Sequence, residues 1–235
     1  MNKKSLTILA LFVLSITPGS GWAAFVTTNQ ADMNTIYSQA SFGPNAIDVR
    51  FQPTISIANP SLLNINTLAD LNALFSLMPV APPGINMYFV DTVTVCSVPS
   101  PSPTIDGCAT INGNSMVVAS LAAADPAIFN GVTAGAILNS HELAHNLGLP
   151  HNNECNPPIS MPPNLMDCQL ASFDLTGAQV TAILANTNAL QMDATGLFVD
   201  ITPIVIVPLP AALPLMLTGL GMLAGVTRRR TSAPA

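Results

Sequence analysis

Residues 141–151 read His-Glu-Leu-Ala-His-Asn-Leu-Gly-Leu-Pro-His, and this string restricts the chain more than any other stretch. His141 and His145 are four apart, so on a helix both imidazoles leave one face about a turn apart, as two nitrogen ligands of one tetrahedral zinc require. Glu142 stands beside them. A carboxylate there can reach a water on the metal, accept its proton and later pass it to a leaving amine. Gly148 can take the positive φ that closes a helix, so the chain turns back and delivers His151 as a third ligand.

Competing readings of the string are weaker. A bare His-Glu-x-x-His match arises by chance on surface helices, but all three histidines of this chain fall inside the string. A downstream glutamate as third ligand is a known variant. The only other glutamate, Glu154, lies three residues past His151, too near to sit on a second helix. A Ser-His-Asp or Cys-His triad has no histidine left to serve it.

The string resembles the extended zinc signature of the metzincin endopeptidases, and its wording is most similar to the adamalysin branch. The resemblance covers residues 46–191. It implies an α+β fold in which a twisted mixed sheet packs on a zinc-bearing active-site helix, with a C-terminal helix after a methionine-containing turn. Asn164-Leu165-Met166-Asp167 is the candidate turn, with Met166 packed beneath the metal. The resemblance also implies zinc as cofactor, a protein or peptide substrate, His141, His145 and His151 as ligands, and Glu142 as general base. Two positions depart from the pattern. Asn152 stands where adamalysins carry Asp after the third His, and Cys168 where other branches place a Tyr ligand. The alternative function is a surface adhesin or matrix-associated module that binds zinc without turnover. Glu142 speaks against it, because a pure binding site has no need of a base.

With 235 residues, 49% of them hydrophobic, the chain can bury one sizeable core. Residues 1–24 carry Lys3 and Lys4, an apolar run and small residues through Ala23 and Ala24. This pattern predicts a secretory signal peptide cut after Ala23 by signal peptidase. Residues 25–200 form the expected catalytic domain, 201–206 a linker, 207–230 a C-terminal signal and 231–235 a tail. Of six basic residues only Arg50 falls between the two end segments, against all twelve acids, giving −11 there. Nucleic acid and anionic membrane surfaces are poor partners for such a domain. Calcium is a second candidate ion on its carboxylates, without EF-hand-like spacing.

Four cysteines in an exported chain predict disulfides. Of three possible pairings, Cys96 with Cys108 and Cys155 with Cys168 is favoured, because each pair brackets a Pro- or Asn-rich loop. Thiolate zinc ligation is the alternative, made superfluous by a complete histidine set.

Periodicity adds the frame. Ile47, Val49 and Phe51 alternate with Asp48, Arg50 and Gln52, and Ile55 and Ile57 follow, as in a half-buried strand. Residues 62–78 place Leu68, Leu71, Leu74, Phe75 and Met78 at helical spacing, with Thr67 as the start and Pro79 as the stop. Strands are expected within 84–98 and 114–120, the histidine-bearing helix at 131–147, and a helix at 174–190 with Thr176 and Gln179 as a capping box. Residues 25–41 are polar, with a weakly helical stretch at 32–40.

The C-terminus carries a second signal. Val207-Pro208-Leu209-Pro210-Ala211 precedes an apolar run at 212–226 and then Arg228, Arg229 and Arg230. As a helix the run is about 22 Å long, short of a ~30 Å hydrocarbon core unless residues 204–207 extend it. The pattern is similar to the PEP-CTERM sorting tails of Gram-negative bacteria. That resemblance implies transient insertion in the inner membrane, removal by an exosortase-type enzyme, and a mature protein in the periplasm, at the cell surface or in the extracellular matrix. A plain membrane anchor is the alternative.

Overall fold

The computed structural model describes residues 24–96, 105–152 and 158–208. The expected signal peptide, the apolar run with its arginines, and Cys155 lie outside the described residues.

The first half of the chain runs α1 (Gln30–Tyr37), β1 (Ile47–Phe51), β2 (Ile55–Ala58), β3 (Asn64–Ile65), α2 (Leu68–Ser76), β4 (Ile85–Val90), β5 (Thr92–Val93) and β6 (Gly107–Ala109). The second runs β7 (Ser115–Ala119), α3 (Ser120–Ala123), β8 (Ile128–Phe129), β9 (Val132–Thr133), α4 (Ala134–Asn146), α5 (Gly177–Leu184), β10 (Gln191–Asp193) and β11 (Gly196–Val207). The fold is α+β around a mixed sheet of order β1-β11-β4-β7-β6, with β2 and β10 also paired to β11. Strands β1, β11, β4 and β7 are parallel, and β6 is the antiparallel edge.

All six residues of β4 are buried because both faces of the sheet are covered. Ile85, Met87 and Phe89 face the core that holds α1, α4 and α5, while Tyr88 and Val90 face the core under α2. Helix α2 starts as expected at Thr67, whose side chain accepts from the Asp70 N–H while Asp70 caps back. The segment read as polar and weakly helical contributes more than its composition suggests: Met33, Ile36 and Tyr37 of α1 are fully buried.

Three expectations are corrected. Residues 201–206 are no linker but the inner part of β11, which forms a hairpin with β10 after α5. The helix expected at 174–190 is shorter because the Asn186 side chain accepts from the N–H groups of Asn188 and Ala189, closing a turn instead. Residues 204–207 pair with β2 and so belong to the sheet, not to an extended apolar run.

Pro203 lies within β11, where a central strand rarely tolerates proline. The Ile201 carbonyl accepts from Gln52, so residue 203, two further on, turns its nitrogen to the same side. There the neighbouring chain has broken off between β1 and β2, so Pro203 has no ladder partner on that side.

Arg50 pairs with Asp48 at 2.6 Å and Asp193 at 2.7 Å and lies over the Phe198 ring, tying β1 to the β10–β11 hairpin. Cys96 and Cys108 are joined as expected, and Cys168 is disulfide-bonded too. The first bridge, with the Ile105 N–H donating to Val93, pins the edge strand β6. Closing a loop of this length stabilises by about 3 kcal/mol. Replacing both Cys96 and Cys108 with Ser is therefore expected to lower the melting temperature by about 6–12 °C in a thermal scan.

Candidate metal centre

Helix α4 is buried along its length from Gly135 to Asn146, polar residues included. Its start is fixed by Thr133, whose side chain accepts from the Ala136 N–H and whose own N–H and hydroxyl donate to Asp32. The Tyr37 hydroxyl donates to the Ser140 carbonyl at 2.8 Å. Deeper in, the Asn146 amide donates to the carbonyls of Thr110 and Ser115, fastening the helix to the β6–β7 turn.

The helix ends in a Schellman motif. The Leu149 N–H donates to Ala144 and the Gly148 N–H to His145, with Gly148 at φ +104°, a conformation that side chains oppose. The turn places the Leu149 carbonyl where it accepts from His145 Nδ1 at 2.6 Å. His141 Nδ1 likewise donates to the Leu165 carbonyl at 2.7 Å. Because both partners are carbonyls, the Nδ1 atoms of these two rings carry the protons and their Nε2 atoms carry lone pairs.

Those lone pairs converge. The Nε2 atoms of His141, His145 and His151 are 3.1, 3.1 and 3.2 Å apart. An ion about 2.0–2.1 Å from all three would see N–metal–N angles of about 100°, near tetrahedral. With His151 in the same tautomer, three lone pairs aim at one point and repel unless a cation lies between them, so the donor set fits a divalent metal that favours imidazole. Burial, with His145 beside it, lowers the His141 pKa to about 3; burial lowers His145 to about 4 and also lowers His151. All three are neutral imidazoles at neutral pH, the form a metal ligand requires. His141 and His145 are buried while His151 is exposed, so the centre opens on the His151 side.

Glu142 is buried beside the histidines, and its Oε2 has no hydrogen-bond partner. Burial first, and the Asp106 carboxylate second, push it up to about 8. A buried, orphaned carboxylate on the residue that follows His141 is suited to exchanging a proton with a group held at the three nitrogens.

Asn152 and residues 158–167 are tied together beside the three histidines. The Asn152 N–H donates to the Met166 carbonyl, Met166 is fully buried, and Asn164 to Asp167 form a turn. Asp167 accepts from the Asn152 amide, the Ser160 hydroxyl and the Asn164 N–H. Gln179 of α5 closes the network by donating to the side-chain oxygens of Asn152 and Asn164. A cavity of about 390 Å³ begins at Asn152 and is lined by Ser160, Pro162, Asn164, Asp174 and Leu175.

No family model, curated protein or solved structure matches this chain. What the centre can do therefore follows from its own residues. The structure brings His141, His145 and His151 together as the spacing predicts, with Glu142 buried on the same helix, Gly148 closing that helix at positive φ, and Met166 buried in the turn whose Leu165 carbonyl meets His141. Cys96 and Cys108 serve the edge strand, and no cluster beyond the three histidines offers a metal site among the described residues. Sequence reasoning missed the carbonyls of Leu149 and Leu165, since backbone groups leave no mark in residue type, and named Asp167 only as a member of the turn, without its partners. It took Gln179 only for a helix cap, although its second role is visible in the side chain's reach.

Proposed function

We propose that this chain is an exported zinc metalloendopeptidase of metzincin type. The observation that carries the reading is the convergence of three neutral imidazoles within 3.2 Å, two of them oriented by carbonyls, beside a buried carboxylate with an unpartnered oxygen. His141, His145 and His151 would hold the zinc. Bound zinc supplies Lewis acidity for the scissile carbonyl and lowers the pKa of its water toward ~7. Glu142 takes up a proton at its carboxylate and returns it to the leaving amine. Leu165 and Leu149 hold the first two rings in register through Nδ1, and Asp167 with Asn152 holds the third-ligand loop against the turn at Met166. Asn152 keeps the loop tied despite replacing the Asp of adamalysins, because the carboxylate of the pair is supplied by Asp167.

On this reading the cavity at Asn152 disfavours an acidic substrate side chain, since its lining offers no cation and includes Asp174. The C-terminal signal is read as removable. β11 ends at Val207, whose carbonyl accepts from Asn59, and Pro208 follows with no N–H to continue the ladder.

The test is direct. Purified protein is expected to bind one zinc per chain, cleave members of a peptide library and lose that activity to a chelator, with recovery on re-addition of zinc. Binding of one zinc without cleavage across a broad library would instead support the non-catalytic adhesin.

A further inference from the structure

Gly107 lies on β6 directly against Glu142. A Cβ placed on it would stand 2.6 Å from Glu142 Oε1, 2.8 Å from Cγ and 2.9 Å from Cδ, closer than real contacts permit. The backbone makes no such demand. Gly107 sits in a regular antiparallel strand opposite Val118, and its φ lies outside the left-handed range. In a buried strand glycine is the poorest choice, having most freedom to lose and no side chain to pack. The neighbour explains it: the Glu142 carboxyl group occupies the space where a side chain of residue 107 would stand, and lies against the strand backbone.

We propose that Gly107 is a positioning residue for Glu142, holding the carboxylate by leaving room for it on one side and walling it with the β6 backbone. The inference rests on the reading of Glu142 as the general base. β6 is a firm wall for three reasons. It pairs with β7 through Cys108 and Val117, the Asp106 carbonyl accepts from Ala119 at 2.8 Å, and the residue after Gly107 is held by the Cys96 bridge. The clashing atoms belong to the far end of a flexible side chain. An added methyl would therefore move Glu142 and leave the strand where it is. The three ligands are held by other partners, through Leu149, Leu165 and the Asn152–Asp167 pair, so they stay in place.

Gly107→Ala separates this role from a structural one when it is made in two backgrounds. In the zinc-loaded parent, kcat is expected to fall about 10²-fold or more, with KM within about twofold and zinc affinity by chelator competition within about threefold of the parent. In the metal-free protein, Gly107→Ala is expected to lower the melting temperature when Glu142 is present and to raise it in the Glu142→Ala background, where the methyl finds space. The two shifts should differ by about 3 °C or more. Equal shifts in both backgrounds, or an unchanged kcat in an active parent, would overturn the proposal. A parent that binds zinc and cleaves nothing overturns the hydrolase reading and with it the catalytic role of this contact. The melting comparison still reports separately whether the carboxylate and Gly107 compete for one space.

Discussion

A chain that stops after Asp193 is expected to lose its fold, whereas one that stops after Pro208 is expected to keep it. The missing piece is β11, which lies between β1 and β4 and joins the two halves of the sheet. It also buries Val199, Ile201, Ile204, Val205 and Ile206. At about 1.5–3 kcal/mol for each buried aliphatic side chain, its loss removes on the order of 10 kcal/mol, the size of a whole domain's stability. Far-UV circular dichroism and a thermal scan of both truncations decide it: a cooperative transition in the shorter chain would contradict the central role of β11. Protein from the native host is expected, by intact mass, to end within residues 208–211, because any earlier cut enters the strand.

The same strand shows what the sequence conceals. Its residues are apolar almost without interruption, as suits a strand buried on both faces. Yet Pro203 and the adjoining Val-Pro-Leu-Pro text make the stretch look like the approach to a tail. Only the break between β1 and β2 makes a proline tolerable there, and that break is a tertiary fact. Helices α2 and α5, by contrast, announce their starts through Thr67 and Thr176, since a capping box is made of residues three apart.

The metal centre divides in the same way. His141, His145 and His151 are legible because helix geometry and one glycine turn fix their spacing within eleven residues. Asn146 and Asn139 of α4 look like solvent-facing positions, but one anchors the helix to Thr110 and Ser115 and the other reaches the Thr27 carbonyl. Gly107, thirty-five residues before Glu142, has no local pattern at all. Its meaning lies in the atoms packed against it.

Glu142→Gln is expected to abolish peptide hydrolysis while keeping zinc, and to remove the loss of stability of the metal-free protein between pH 6.5 and 8. The amide cannot accept the proton, so kcat should fall by about 10²–10⁴-fold, with one zinc still bound because no ligand is lost. The stability change follows from the carboxyl group's raised pKa. In the unfolded chain it titrates near 4.5 and in the fold near about 8, so the native state binds more protons between those values. Its contribution is fully present below pH 4.5 and is lost as pH rises through about 8. The histidines run the other way. Their pKa values are lowered from 6.5 in the fold, to about 3 and about 4 for His141 and His145, so their contribution is present above pH 6.5 and lost as pH falls. Between pH 6.5 and 8 Glu142 is thus left as the titrating group of the centre. There the metal-free parent should lose about 2 kcal/mol, seen as a fall of about 4–8 °C in melting temperature. The glutamine, neutral throughout, should remove that fall and melt higher than the parent at pH 8. Parallel melting curves for the two proteins across this window would show that Glu142 does not carry the raised pKa. A parent-like kcat in the variant would remove it from the role of base.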